Sequence, residues 1–254
     1  MPPLVTHMIA AVRTGGQIDA DGLQLDRSNG EYLLGATTPD IRVLTRWDRE
    51  RTHFFDIYDD GHQDCVENFF SAHRLFRDPS HLSPETQAWV AGYLSHVIMD
   101  QEYVLQIYRP FFGSRSLLGG GSHANLLDRV LQYELDRRER EASGEMQHLR
   151  RALFGSAVEI DAGFVDRGLL EQWRDTTAAM TEHPPDWERF SFIASRHLKS
   201  AGIESEAGLR EFMDTIPELL DDTLSRVDQA ALDGFFESTT QRTASVLREW
   251  LGAA

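Results

Sequence analysis

Apolar residues recur at three- and four-residue spacing along most of this 254-residue chain, whereas runs of alternating apolar and polar residues are scarce. The first pattern is typical of amphipathic helices and the second of half-buried strands. Domains of roughly 50 to 250 residues are ordinary, so one domain can take up the whole chain. We therefore predict an all-α fold, a single compact domain of many helices. The clearest periodic segment runs from Asp228 to Leu251, where one helix face carries Leu232, Phe235, Phe236, Val246, Leu247, Trp250 and Leu251.

Local signals predict where several of these helices begin and end. Ser83 followed by Pro84 is typical of a helix start, with serine as the N-cap and proline in the first helical position. Pro110 predicts the end of the same helix. The glycine-rich stretch 117–122 then interrupts the pattern before a helix predicted over 124–141. Its three consecutive glycines lack the spacing and the lysine of a phosphate-binding loop, so we interpret the stretch as a hinge or active-site loop.

Charge and composition exclude several classes of function. A formal charge of −16 argues against binding to nucleic acid or to an anionic membrane, because such surfaces need clustered basic residues. Cys65 is the only cysteine, which excludes an internal disulfide and fits a reducing compartment. There is no signal-peptide pattern, and no apolar run approaches the ~18 residues of a membrane span. We expect a cytoplasmic protein with a small-molecule substrate and leave its oligomeric state open.

The predicted helix after Ser83 carries the most informative polar pair. His96 and Asp100 are four residues apart, so both side chains project from the same helix face. The residues between them are apolar, which indicates a buried helix, and buried polar groups need partners. The pair could bind a metal. Taken alone, however, a hydrogen-bonded His–Asp pair in the core is the more common explanation.

Three further residues fit a metal site when they are considered with this pair. Asp40 follows a proline at the end of an apolar segment, His53 lies between a threonine and a phenylalanine, and His7 lies in an apolar segment that predicts a helix. Each has a common structural explanation on its own, as a turn residue or a packed histidine. All of them lie in residues 1–141. Residues 150–254 carry no ligand-like motif and are expected to complete the helical bundle or to cap the site.

In this order, the five residues and their contexts resemble the zinc-dependent phospholipase C family. The relatives of that family include the helical core of glycosylphosphatidylinositol-specific phospholipase D and, more distantly, the fungal single-strand nucleases. The resemblance covers an N-terminal histidine (His7), an aspartate after a Gly-x-x-x-Pro stretch (Asp40), a histidine in a Thr-His-Phe context (His53) and a Gly-Tyr-Leu-x-His-x-x-x-Asp helix (His96 and Asp100). It implies an all-helical fold that holds a cluster of zinc ions.

The resemblance also implies a role for each ligand. His7 and Asp100 would share one metal. A second metal would be bound by Asp40, His53 and His96, with Asp40 also next to the metal-bound water as the catalytic residue. Imidazole and carboxylate are the ligands expected for zinc in a site without cysteine, and an open position admits water. We expect one or two ions, zinc or another divalent transition metal.

Residues around these ligands are harder to predict. Asp56 lies three residues from His53 and is expected to orient its imidazole. The family has a further ligand group downstream, including a histidine followed four residues later by a glutamate. Here His123 is the nearest histidine and Leu127 stands four residues later, so His123 is kept only as a candidate ligand. Glu134 lies on the apolar face of its predicted helix and is a candidate carboxylate near the site, although a surface charge explains it equally well.

Three functions remain open from the sequence. The first is a metal-dependent hydrolase that acts on a phosphoester of a soluble molecule, since a bound metal activates water and polarises a phosphoryl oxygen. The second uses the same metal as a Lewis acid for a cyclisation, elimination or rearrangement in small-molecule biosynthesis. The third is a non-catalytic helical protein with a structural metal site, which would have no open position for water.

Overall fold

Helices make up the regular secondary structure of the computed structural model, which describes residues 1–19, 30–59, 61 and 63–252. No strand occurs in these ranges, so the predicted all-α fold is confirmed. Short 3₁₀ turns link several helices. The helices are α1 (Leu4–Asp19), α2 (Gly30–Gly35), α3 (Arg42–Thr45), α4 (Glu50–His53), α5 (Cys65–Ala72), α6 (Pro84–Tyr103), α7 (Ser122–Ser143), α8 (Met146–Gly155), α9 (Arg167–Met180), α10 (Phe190–Ile193), α11 (Ser195–Ser200), α12 (Glu206–Arg226) and α13 (Gln229–Leu251).

The starts of α6 and α13 are capped by side chains. Ser83 Oγ accepts a hydrogen bond from the Thr86 N–H at 3.2 Å, and Pro84 occupies the first helical position. Asp228 accepts from the Ala231 N–H at 2.8 Å where α13 begins. Such acceptors satisfy amide donors that have no partner inside the helix. Both predicted helix starts are confirmed.

Pro110 does not end the helix, so that prediction was wrong. After α6 the chain continues as a π-helix over Val104–Phe112, and the Gly113 N–H donates to the carbonyl of Tyr108, five residues earlier, at 2.7 Å. A proline ring interrupts an α-helix because it removes one donor and clashes with the carbonyl four residues back. The wider π turn displaces that carbonyl, and the helical path therefore continues to Gly113.

The glycine-rich stretch is a loop, as predicted, and α7 begins directly after it. Gly119 and Gly120 have φ angles of 69° and 74°, in the left-handed region that glycine adopts without steric cost. Whether this loop moves stays a prediction.

Helices α2 and α6 pack with their backbones in direct contact. A Cβ atom at Gly92 would lie 2.0 Å from the carbonyl oxygen of Tyr32, and one at Gly35 would lie 2.0 Å from that of Trp89. Only glycine leaves room for the opposite backbone at both positions. This contact brings the carbonyl of Ala36, just after α2, against the face of α6.

The main core joins the N-terminal and C-terminal parts of the chain. Leu247 and Trp250 of α13 share one apolar cluster with Val5 of α1, Trp89 of α6 and Leu153 of α8. The C-terminal part thus completes the same core, while its role as a cap stays a prediction. None of the helices in the described ranges combines the length and the apolar character that a membrane crossing requires.

Candidate metal centre

Five side chains from three helices and one 3₁₀ turn converge inside the fold. His7 lies in the first turns of α1, Asp40 in the 3₁₀ turn after α2, His53 at the end of α4, and His96 and Asp100 on α6. They form two overlapping groups that could hold a metal ion, with the ligand atoms of each group within 4.8 Å of one another. One group is His7, His96 and Asp100, and the other is Asp40, His53 and His96. The structure therefore brings together the five ligands predicted from the sequence, here called the ligand cluster.

The ligand cluster is buried except at one residue. His7, His53, His96 and Asp100 are each at most 2% exposed, whereas 28% of the Asp40 side chain is exposed. Of the five, Asp40 is thus the residue that a molecule from solvent would reach first.

The ligand atoms approach one another without forming hydrogen bonds. Among the described residues, Nε2 of His7, His53 and His96 and Oδ1 of Asp100 are buried and have no hydrogen-bond partner. His7 Nε2 lies 3.3 Å from Asp100 Oδ1, and His53 Nε2 lies 3.2 Å from Asp100 Oδ2. His53 Nε2 is 3.6 Å from Asp40 Oδ1, and His96 Nε2 is 3.7 Å from Asp100 Oδ2. Two atoms bound to a tetrahedral zinc at ~2.0 to 2.1 Å lie about 3.4 Å apart, which is close to these spacings.

A backbone carbonyl determines which nitrogen His96 presents to the cluster. Its Nδ1 lies 2.8 Å from the carbonyl oxygen of Ala36. Because a carbonyl oxygen only accepts, Nδ1 carries the proton and Nε2 presents a lone pair. Burial, together with the neighbouring His7, lowers the pKa of His96 to about 3, so its imidazole is neutral at pH 7. Metal-ligating histidines are commonly oriented by a hydrogen bond of this kind.

Thr52 holds His53 in a similar way. Nδ1 of His53 lies 2.8 Å from Thr52 Oγ1, whose hydroxyl donates to the carbonyl of Arg49 at 3.3 Å. The Thr52 carbonyl accepts from the hydroxyl of Tyr93, on α6, at 2.6 Å. With Nδ1 donating to Thr52, Nε2 presents a lone pair to the two carboxylates. A lone pair and a carboxylate repel each other at this distance unless a cation or a proton lies between them.

Both carboxylates of the ligand cluster are ionised. Burial raises the pKa of Asp100, but the His53 and His7 rings lower it by more when the nitrogens that face the carboxylate carry a proton, and the net pKa lies well below its ordinary value. Burial likewise raises the pKa of Asp40, and His53 and His96 lower it below its ordinary value. Two negative charges and three imidazoles are a donor set that suits a divalent transition metal.

No sequence pattern predicted the partly buried cation that lies beside the cluster. Arg49 donates from Nη2 to Asp100 Oδ2 at 3.0 Å and from Nη1 to the Phe55 carbonyl at 3.0 Å, and its guanidinium lies over the Phe55 ring. Arg49 lies in a run of alternating charges, a pattern typical of a solvated surface. It neutralises one oxygen of Asp100 and leaves Oδ1 turned toward His7.

The two groups of ligands cannot both be complete at once. They share His96, whose ring stacks on His7 with centroids 3.7 Å apart. Since Nδ1 of His96 is engaged by Ala36, a single lone pair is left for both groups. The geometry therefore favours one fully ligated ion over two.

Asp56 does not orient His53, so that prediction was wrong. Its carboxylate is exposed and accepts from the Tyr58 N–H at 2.8 Å, while its backbone bonds the Gln63 side chain. The turn after α4 directs it away from the cluster, and Thr52 takes the predicted role. The Thr-His-Phe context contained that signal, because a hydroxyl next to a histidine can reach its ring.

Two other predicted residues lie elsewhere in the structure. His123 is exposed in the first turn of α7, on the side of Asp222 of α12, and it belongs to neither group of ligands. Glu134 is buried, so of the two alternatives left open the surface charge was wrong, but its carboxylate pairs with Arg137 and Arg138 on its own helix, at 2.7 Å each. It lines a separate cleft that also contains Trp187. The face of α7 that turns toward α6 is a different one.

That inward face of α7 carries Asp128 and Gln132, four residues apart. Tyr103, one turn beyond Asp100 on α6, donates its hydroxyl to Asp128 Oδ1 at 2.7 Å, and Gln132 Nε2 donates to Asp128 Oδ2 at 2.7 Å. Both oxygens of Asp128 are thus occupied by hydrogen bonds. A closed polar network therefore lies beside the cluster, where the resemblance implied a further ligand group.

Comparison of the chain with protein-family models, with curated proteins and with solved structures finds no match.

Proposed function

We propose that this protein is a metal-dependent hydrolase whose ligand cluster binds one zinc ion. The observation that carries the proposal is the convergence of buried imidazole lone pairs, on His53 and His96, with the carboxylates of Asp40 and Asp100. An unsatisfied buried polar group costs about 1 to 3 kcal/mol, so several at one point are a large cost to the folded state. One divalent cation would satisfy them together.

The donor set and its open side support a catalytic ion over a purely structural one. Imidazole and carboxylate are the usual ligands of catalytic zinc, and such sites keep one position open. A zinc ion held there would supply Lewis acidity and lower the pKa of water to about 7. Asp40, at the exposed edge, is the group of this chain that can orient an incoming water or take up its proton. His53 and His96 are held in place by Thr52 and Ala36.

The proposed substrate is a phosphoester of a small soluble molecule. This part of the proposal rests on the resemblance to the zinc-dependent phospholipase C family and on the preference of such metals for phosphoryl oxygens. The formal charge of −16 supports a small molecule over a nucleic acid or an anionic membrane surface.

A second candidate is a Lewis-acid enzyme that catalyses a non-hydrolytic cyclisation, elimination or rearrangement. The observation that favours it is the closed network of Asp128, Gln132 and Tyr103, which removes a further ligand group beside the cluster. A two-metal clamp on the attacking and leaving oxygens needs ions ~3.5 to 4 Å apart, each with its own ligands. One ion with one open side is enough for a Lewis acid.

Metal content tests the site directly. Purified protein, dialysed against metal-free buffer, is analysed by elemental mass spectrometry as wild type, His96→Ala, Asp40→Asn and His123→Ala. We expect close to one zinc per chain in the wild type and in His123→Ala, whose exposed histidine serves as the matched control. We expect loss of the metal in His96→Ala and weaker retention in Asp40→Asn. Wild-type protein that stays metal-free even after zinc is supplied would refute the proposed site.

Turnover separates the two candidate functions. Zinc-loaded wild type and Asp40→Asn are assayed against a panel of small phosphomonoesters and phosphodiesters, with release of phosphate or alcohol as the readout. Hydrolysis that needs zinc and falls at least ~100-fold in Asp40→Asn supports the hydrolase, since general acid–base groups contribute about 10² to 10⁴ in rate. Stoichiometric zinc without turnover of any phosphoester favours the Lewis-acid candidate.

A further inference from the structure

One arginine of α7 has no carboxylate partner among the residues that the structure describes. Arg129, on α7, follows Asp128 in the chain and is partly buried. Its Nη1 donates to Gln132 Oε1 at 2.7 Å, its Nη2 lies 3.4 Å from Nε2 of His197, and its Nε is buried without a hydrogen-bond partner among the described residues. Both oxygens of Asp128 are already used by Tyr103 and Gln132.

Another arginine of the same helix shows what the Nε and Nη2 edge of a guanidinium ordinarily binds. Eight residues further along α7, Arg137 directs its Nε and Nη2 to the two oxygens of Glu134, at 2.7 Å and 3.1 Å. This parallel pair of hydrogen bonds is the preferred geometry between a guanidinium and a carboxylate or phosphate. In Arg129, the hydrogen-bond partner of the equivalent edge among the described residues is an imidazole, at 3.4 Å.

That imidazole belongs to α11 and is half-buried. Burial, and then the charge of Arg129, lowers the pKa of His197 to about 4, so the ring is neutral at pH 7. The neutral ring accepts from Nη2 of Arg129 over a long 3.4 Å, which leaves Nε of Arg129 without an acceptor among the described residues. An oxyanion at this edge would accept from Nε and Nη2 of the guanidinium, and also from His197 in the tautomer whose Nε2 carries the proton.

We propose that Arg129 and His197 form an oxyanion-binding site for a phosphate or carboxylate group, on the α7 side of the ligand cluster. Its place in the fold follows from Tyr103, which lies one turn from Asp100 on α6 and hydrogen-bonds the residue that precedes Arg129. If the ligand cluster is the catalytic site proposed above, the substrate carries a second anionic group that this pair holds while its phosphoester lies at Asp40. The anion site itself does not depend on a bound metal.

Anion titration with the full chain tests the proposal. Inorganic phosphate and, separately, acetate are added to zinc-free and to zinc-loaded protein, and the imidazole signals are followed by NMR. The signal that is missing in His197→Gln identifies His197. We expect saturable shifts of the His197 signal in both forms of the protein, and the tighter anion shows which of the two groups the site prefers.

Three variants distinguish anion binding by the Arg129 side chain from a general attraction of anions to positive charge. Arg129→Met should weaken binding at least tenfold, because hydrogen bonds to charged groups contribute about 1.5 to 3 kcal/mol. Arg137→Met is the matched control and should change the affinity less than twofold, since its guanidinium edge is already filled by Glu134. Arg129→Lys keeps the charge but loses the parallel pair of N–H donors, and it should weaken anion binding at least threefold. It is the test to use if Arg129→Met does not fold.

Each outcome decides the proposal. The absence of a saturable His197 shift with either anion would overturn it, as would equal affinity in the wild type and the Arg129 variants. A shift that appears only with zinc and ignores Arg129 would place the anion on the metal and would also overturn it. Binding in zinc-free protein that Arg129→Met abolishes supports the anion site, even where no zinc is bound and the proposed hydrolase fails.

Discussion

Replacing Gly92 with alanine should destabilise the protein, although alanine is the better helix former. The new Cβ would lie 2.0 Å from the carbonyl oxygen of Tyr32, and real Cβ atoms essentially never come closer than 3.0 Å. Helices α2 and α6 must therefore separate by about 1 Å or more, and the opposing atom belongs to the backbone of a buried helix. Overpacking of this kind costs about 1 to 3 kcal/mol, whereas the gain in helix propensity is about 1 kcal/mol.

Separating α2 from α6 should also disturb the ligand cluster. The hydrogen bond between His96 and the Ala36 carbonyl crosses the same contact, and its loss costs about 1 kcal/mol. Together these contributions predict a net loss of about 2 kcal/mol in the free energy of unfolding. The metal affinity should also fall, because mutation of an orienting partner typically costs about 10- to 100-fold.

The matched control is Gly234→Ala on α13. Gly234 is exposed in a helix, and a Cβ there would meet nothing within 4 Å. The same substitution should therefore stabilise the protein by about 0.5 to 1 kcal/mol, through helix propensity alone. Urea unfolding of both variants, without zinc, measures the difference. A Gly92→Ala protein as stable as Gly234→Ala would refute the close contact between α2 and α6.

The remaining predictions concern the surroundings of the ligand cluster. Thr52→Val should weaken zinc binding about 10- to 100-fold in a competition titration, because His53 loses its orienting partner, whereas Asp56→Ala should leave the affinity unchanged; equal effects of the two would contradict the assignment. Arg49→Met should lower the stability of the zinc-free protein by about 3 kcal/mol, since Asp100 loses its buried cation, and urea unfolding would show it; unchanged stability would mean that this ion pair contributes nothing. Zinc at about 100 times its dissociation constant should stabilise the wild type by about 2.7 kcal/mol in a thermal or urea titration, and the absence of any shift would contradict binding to the folded state.

The helices were largely predictable because their signals are local. The caps of α6 and α13 lie within three residues of the amides that they satisfy, so the sequence alone predicted both starts. The prediction that Pro110 ends the helix was wrong for a related reason. The rule for proline assumes an α-helix, and no pattern in the nearby residues predicts a π-helix over Val104–Phe112. Ile107 and Phe112 of this segment lie in one core cluster with residues of α7 and α13, and these long-range contacts are not visible in the local sequence.

The ligands of the candidate site were also predictable, but the residues that support them were not. His96 and Asp100 share a helix face by spacing alone, and the contexts of the other three ligands carried the resemblance. Arg49 reaches Asp100 across 51 residues of sequence, and no local pattern distinguishes it from a surface charge. Asp56 was chosen for its nearness in sequence to His53, yet the turn between them separates the two side chains in space.

The sequence by itself determined the helical class of this protein and the five side chains that could bind a metal. The helical class follows from residue type and from spacing within a few turns of chain, whereas the set of five ligands came from the resemblance to the zinc-dependent phospholipase C family. Only the tertiary structure decided that His96 is shared by two groups, that the carbonyl of Ala36 orients it, and that Arg129 has no carboxylate partner in the described part of the chain. The physical reason is that hydrogen bonds and burial depend on which helix faces pack together. The backbone contact at Gly35 and Gly92 determines how α2 packs against α6.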